Sequence, residues 1–117
     1  VLPVTDPECT RFWMTIDEAV DLVAWTAEQM QGGELVVPDL PAYDVPSLAT
    51  ALGAGYTVTT GLRPGEKIHE TMISADEAQE FVKLDGYWIR SPEWKARGFD
   101  IRDRPLQSNI VTRLTID

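Results

Sequence analysis

The segment Gly61-Leu62-Arg63-Pro64-Gly65-Glu66-Lys67 carries the residue types best suited to chemistry in this chain. A guanidinium can fork two oxygens of a phosphate. Pro-Gly demands a tight turn. The spacing then predicts a short helix over Ile68–Met72, whose free backbone amides and dipole would add to the pull on an anion. Lys67 adds charge, and Glu66 can accept from a sugar hydroxyl. Ten Lys and Arg stand against nineteen Asp and Glu, a net charge of −9, so a local Arg/Lys pair is conspicuous. The competing reading makes Arg63 and Lys67 solvated surface charges, with Glu66 paired to Lys67.

Other chemistries find little support. The Gly61–Lys67 segment is not a phosphate-binding P-loop: too few residues separate its glycines and no Ser or Thr follows the lysine. No glycine-rich dinucleotide fingerprint is present. Tyr43, Tyr56 and Tyr87 are followed four residues later by Ser47, Thr60 and Ser91, so no Tyr-x-x-x-Lys pair exists. His69 is the single histidine. Ser47, Ser74, Ser91 and Ser108 lie in no nucleophile-elbow context, so a Ser-His-Asp triad is not supported. One histidine with scattered carboxylates has no metal-ligand spacing. His69 reads as a helix-surface or hydrogen-bonded residue. The single cysteine, Cys9, excludes an internal disulfide and reads as a small semi-buried side chain, with a reducing cytosol as the expected compartment. The acidic balance argues against nucleic acid as a partner. No apolar run approaches the ~20 residues of a membrane span, and no basic region precedes an apolar stretch as in a signal peptide.

A chain of 117 residues has room for one core, and the reading is a single domain over residues 1–117. Val1–Val4 is extended. Thr15-x-x-Glu18 is a capping box opening the best helix, which Gly32-Gly33 ends. Ile16, Ala19, Val20, Val23, Ala24, Ala27 and Met30 recur at the spacing of one helix face, predicted to be buried. Leu22 and Trp25 fall off that stripe and read either as surface side chains, the Trp snorkelling, or as a second contact to something outside this chain. Glu34–Val37 reads as a strand stopped by Pro38. Residues 38–46, with three prolines and two aspartates, read as a loop. Pro46–Leu52 is a short helix and Tyr56–Thr60 a strand. Ser74-x-x-Glu77 is a second capping box, predicted to open a helix through Leu84. Asp85-Gly86 is a turn and Tyr87–Arg90 a strand. From Ser91 the pattern weakens, and 93–117 is a tail without a clear period. Leu114-Thr115-Ile116-Asp117 resembles the Thr15-Ile16-Asp17-Glu18 helix start, so the chain reads as a piece of a longer protein.

Several strings together resemble one family. Val4-Thr5-Asp6-Pro7, Thr10-Arg11-Phe12-Trp13-Met14-Thr15, Glu18-Ala19-Val20, Gly61–Glu70 and Met72-Ile73-Ser74 are similar to segments of nucleotide-sugar 4,6-dehydratases. These are extended short-chain dehydrogenases of capsule, O-antigen and flagellin-glycosylation pathways that act on UDP-N-acetylglucosamine. The resemblance runs over residues 3–92. It implies that this chain is the C-terminal, substrate-binding part. The NADP-holding Rossmann domain and the catalytic Asp-Lys and Tyr-x-x-x-Lys groups lie outside it, so the chain carries no catalytic or cofactor-binding residue of its own. The resemblance places Arg11 and Arg63 at the substrate pyrophosphate, with Thr5 and Glu66 beside them. It also directs the Thr15–Gln31 helix towards the Rossmann half. The tail departs from the family: Arg104–Val111 lacks the aromatic and Asn-rich stretch expected there.

The combined expectation is an α/β fold with a small sheet and three to five helices that binds a nucleotide-sugar through Arg63, Arg11, Thr5, Glu66 and Lys67. Its partners would be the nucleotide-sugar and either the missing Rossmann domain or a second copy of the chain. The alternative is a stand-alone, non-catalytic interaction or regulatory module that kept the fold.

Overall fold

The computed structural model describes residues 1–114, so the predicted helix start at the chain end lies outside the described residues. The fold is α/β, with three short helices, one 3-10 turn and four small open sheets among the described residues. The elements run β1 (Leu2–Val4), β2 (Thr10–Phe12), α1 (Ile16–Gln29), β3 (Leu35–Pro38), β4 (Ala42–Asp44), α2 (Val45–Ala51), β5 (Thr57–Thr59) and β6 (Thr71–Ile73). The 3-10 turn Ala78–Glu80, β7 (Phe81–Leu84), β8 (Tyr87–Arg90), α3 (Pro92–Ala96) and β9 (Leu106–Gln107) follow. Two compact units result: one from Val1–Trp13, Pro41–Thr71 and the segment from Gln107, the other from Met14–Leu40 and Met72–Leu106.

In the first unit β1 and β5 run parallel, Pro3 opposite Val58. The pairing continues past both strands, with the Thr60 and Gly61 amides donating to the Val4 and Thr5 carbonyls at 2.8 and 2.9 Å. β2 and β4 are antiparallel, Arg11 opposite Tyr43. Strand β4 lies in the proline-rich stretch read as a loop. Pro41 can sit there because it is asked only for its carbonyl, which accepts from the Trp13 amide at 2.9 Å. Asp44 ends β4 and caps α2, accepting from the Ser47 amide at 2.8 Å and the Ser47 hydroxyl at 2.9 Å. Those bonds, the amide first, hold its carboxyl below the usual aspartate range.

The second unit is built on the antiparallel sheet β3-β8-β7. Its β7–β8 hairpin closes through Asp85-Gly86, with φ of 54° and 83°, the two left-handed residues that a tight primed turn requires. That hairpin overrides the predicted 74–84 helix. The Ser74/Glu77 box does form, Ser74 N–H donating to Glu77 Oε1 at 3.0 Å. Only one 3-10 turn follows, because Phe81 and Val82 pair with Arg90 and Ile89 and are fully buried. Val82, Ile89 and Trp94 form the core, with Trp25, Val36, Leu84 and Phe99 packed around it.

Helix α1 follows its capping signal, the Glu18 amide donating to Thr15 Oγ1 at 3.2 Å. Its orientation is the reverse of the one expected. Ile16 is 77% exposed and Val23 69% exposed. The inward ridge holds Leu22, Trp25 and Thr26, all half-buried. The Trp25 ring lies 4.7 Å from that of Tyr87, and its indole N–H donates to Asp85 at 3.1 Å. Both ridges have helical spacing, so periodicity could not choose between them. The hairpin chose, by offering an aromatic face and a carboxylate to a tryptophan.

The predicted 68–72 helix is also absent. Ile68 gives its carbonyl to the Thr10 amide at 2.9 Å, and Thr71–Ile73 is strand β6, which pairs with β9. No helix among the described residues is long and apolar enough to cross a membrane.

Three outcomes check this packing. Gly86→Ala meets no atom within 4 Å but forces a side chain onto φ +83°, so thermal or urea unfolding should show a loss of about 1–2 kcal/mol. Trp25→Ala should cost about 2 kcal/mol, below the figure for a fully buried tryptophan. Val23→Ala on the bare stripe should cost under about 0.5 kcal/mol. Equal losses at positions 23 and 25 would restore the original assignment of faces.

Candidate functional site

Arg63-Pro64-Gly65-Glu66 is a β-turn. The Glu66 amide donates to the Arg63 carbonyl at 3.0 Å, and Gly65 has φ +81°, the conformation needed after proline in a type II turn. The anion-binding case therefore loses the helix N-terminus expected here and rests on side chains. The Glu66 carboxylate closes the turn on itself, accepting from the Arg63 amide at 3.1 Å.

The parallel β1–β5 extension sets Thr5 beside this turn, where its hydroxyl donates to Glu66 Oε1 at 3.1 Å. Arg11 Nη2 approaches the same oxygen at 3.8 Å. The Arg63 amide, the Thr5 hydroxyl and the nearby Arg63 and Arg11 charges together hold the Glu66 carboxyl below the usual glutamate range. Glu66 thus faces Arg11, and the expected Glu66–Lys67 pair does not form.

Arg11 is committed to the chain itself. Nη1 donates to the Thr10 and Ile68 carbonyls at 2.7 and 3.0 Å, and Nη2 donates to the Lys67 carbonyl at 2.7 Å. Nε lies 3.8 Å from a Glu70 carboxylate oxygen. The side chains of Arg63 and Lys67 are exposed, with no hydrogen bond or ion pair to another side chain among the described residues. Thr5, Arg11, Glu66 and the backbone of residues 63 and 67 form one cluster, from which the Arg63 and Lys67 charges extend into solvent.

Beneath the cluster lies a polar knot that sequence reasoning missed. Thr10 and Ser108 are buried, their hydroxyls 2.7 Å apart, and Thr10 Oγ1 is 2.7 Å from His69 Nδ1. Ser108 binds Glu70 from both sides: its Oγ accepts from the Glu70 amide at 2.8 Å and its amide donates to the Glu70 carbonyl at 2.9 Å. His69 is accordingly a hydrogen-bonded residue. Ser108 came from the unpatterned tail, where no period or motif marks it. Cys9 is buried, its Sγ 3.9 Å from the Lys67 carbonyl. No group of three or more His, Cys, Asp or Glu among the described residues could hold a metal ion.

Comparison with known proteins agrees with the segments that suggested the family. A family model described as polysaccharide biosynthesis protein matches residues 1–92. A UDP-N-acetylglucosamine 4,6-dehydratase (inverting) of Campylobacter jejuni is 38% identical over 95 residues, 80% of this chain and 28% of its own length. A UDP-glucose 4-epimerase of Rickettsia felis is 34% identical over 92 residues, 74% of this chain and 27% of its own. The chain thus spans under a third of the length of these relatives. The X-ray structure of Pen from Bacillus thuringiensis shares the fold, with a TM-score of 0.83 at 23% identity over 97% of this chain and 36% of that one. With the family model covering every quoted string from Val4 to Ser74, the chain belongs to the polysaccharide biosynthesis protein family.

Proposed function

We propose that this chain binds the nucleotide-sugar half of a UDP-sugar, of the UDP-N-acetylglucosamine kind, as the C-terminal part of an NADP-dependent 4,6-dehydratase. The observation that carries the reading is an exposed guanidinium, Arg63, on a turn whose shape is fixed by Glu66 and Thr5. A planar fork held on a rigid turn suits a pyrophosphate. The relatives support the substrate class more than the reaction: one is named a dehydratase and the other an epimerase, and what their names share is a UDP-sugar. Arg63 is the main anion ligand in this reading. Arg11 adds charge and holds the neighbouring loop, Lys67 adds a solvated charge, and Thr5 and Glu66 brace the turn.

The residues described do not fit an NADP site. Helix α1 starts at the Thr15 cap and α2 at the Asp44 cap that ends β4, so neither follows a glycine-rich turn out of a strand. No step of the chemistry is assigned to this chain. Its contribution is to bind and orient the substrate phosphates. The bare stripe of α1 is the surface this reading gives to the Rossmann half or to a second copy of the chain, in the cytoplasm.

Titrating UDP against the chain, followed by NMR or calorimetry, tests the assignment. A hydrogen bond to a charged group is worth about 1.5–3 kcal/mol, so Arg63→Ala should weaken binding about ten- to a hundredfold. Arg63→Lys should recover part of the loss, and added salt should weaken the wild type more than the Ala variant. Lys67→Ala should do less. If Arg63→Ala binds UDP like the wild type, Arg63 is a surface charge and the phosphate assignment is wrong.

The turn also has a pH signature. The Glu66 carboxyl is held low in the fold, so its contribution is present above the ordinary glutamate pKa of about 4.3. It is lost only as pH falls through the depressed value. The Arg63 amide, read by hydrogen exchange or its NMR shift, should therefore keep its bonded signature as pH falls through the ordinary glutamate pKa and lose it only below that range. Loss of that signature already near pH 6 would remove Glu66 as the brace.

A further inference from the structure

We propose that Ser108 and Thr10 are positioning residues for the anion site, so that the chain's tail is part of the site. The inference rests on the phosphate reading above, and it concerns a residue beyond the 1–92 family match. Arg11 keeps its place by donating to the carbonyls of Lys67 and Ile68. Those carbonyls are where they are because the loop that carries them is fastened at its other end. Ser108, fully buried, takes the Glu70 amide on its hydroxyl and gives its own amide to the Glu70 carbonyl. The same hydroxyl lies 2.7 Å from Thr10 Oγ1 and 3.2 Å from the Thr10 carbonyl. One serine therefore ties the residue before Arg11 to the loop that Arg11 grips.

The donors and acceptors close as a chain. The Glu70 N–H gives to Ser108 Oγ, Ser108 Oγ lies 2.7 Å from Thr10 Oγ1, and Thr10 Oγ1 lies 2.7 Å from His69 Nδ1. Deleting either hydroxyl leaves a buried polar partner without its bond and frees the loop to move. The effect on phosphate is indirect, through the Arg11 guanidinium and the Glu66 carboxylate beside it.

The test compares shape-preserving deletions with a conservative variant. Ser108→Ala and Thr10→Val remove a hydroxyl at nearly constant volume, while Thr10→Ser keeps the hydroxyl and loses a methyl group. Each 117-residue chain is titrated with UDP, its melting temperature is recorded, and hydrogen exchange is read at the Glu70 amide. Ser108→Ala and Thr10→Val should weaken UDP about tenfold, and Ser108→Ala should unprotect the Glu70 amide. Thr10→Ser should bind UDP like the wild type although its melting temperature falls, which a purely packing role would not allow. Should a deletion fail to fold, Thr10→Ser decides alone: loss of UDP affinity in step with stability overturns the positioning role. If the wild type itself does not bind UDP, the phosphate reading fails and the exchange measurement still judges the loop. A Glu70 amide equally protected in wild type and Ser108→Ala overturns the inference.

Discussion

The first unit depends on where Arg11 spends its hydrogen bonds. A guanidinium has five N–H groups and accepts nothing, so it orders whatever acceptors surround it. Here those acceptors are three backbone carbonyls, from Thr10, Lys67 and Ile68, with the carboxylates of Glu66 and Glu70 close by. Carbonyls in a loop far from Arg11 in sequence would otherwise turn to water or begin a helix. Once two of them face the arginine and the Thr10 amide takes the Ile68 carbonyl as well, the loop is locked against β2. Thr5 is brought to Glu66, in the Arg63–Glu66 turn that precedes this loop, by the parallel pairing of β1 with β5.

The second unit is organised by burial. Its hairpin places Phe81, Val82 and Ile89 out of solvent, and α1 covers one side with Leu22 and Trp25. Trp88 is flanked by cations, Lys83 at 5.4 Å and Arg102 at 4.7 Å from its ring. Arg102 is among the buried residues because its own donors go to the Arg104 and Pro105 carbonyls, at 2.7 and 2.9 Å. Burial pulls its pKa down from the usual arginine value, and a guanidinium starts so far above neutral pH that the charge remains. One segment of the unpatterned tail is thus anchored by an arginine, and a later one by a buried serine.

Local signals in the sequence were read correctly where one residue type dictates one conformation. Thr15 caps its helix, Pro64-Gly65 turns the chain, and Asp85-Gly86 reverses it. The errors arose where two long-range outcomes shared one local pattern. The Ser74/Glu77 box is satisfied by a single 3-10 turn as well as by a helix, and the β7–β8 pairing decided for the turn. Residues 68–72 have helical composition, but their carbonyls and amides were taken by β2, Arg11 and Ser108. The two ridges of α1 both have helical spacing, and the position of Asp85 and Tyr87 distinguishes them. Of the proposed site, Arg63 and Glu66 were legible from residue type, and Arg11 and Thr5 only through the family resemblance. The division of labour between the two arginines was not, because it depends on which carbonyls surround each one.

That division follows from counting donors. Three of the Arg11 N–H groups are used on carbonyls, and the remaining two face Glu66 and Glu70. An anion arriving there would have to displace a carboxylate and would meet the field of the second. Arg63 has the opposite situation. Its backbone amide is spent on Glu66, which fixes the turn, while its guanidinium keeps its full set of donors in water. Glu66, lying between the two arginines, is already compensated by Arg11 and by the Thr5 hydroxyl, so it cancels less of the Arg63 charge than its proximity suggests. The arginine that looks best bonded is therefore the structural one. In the proposed function, the arginine that looks idle is the one left to hold a phosphate.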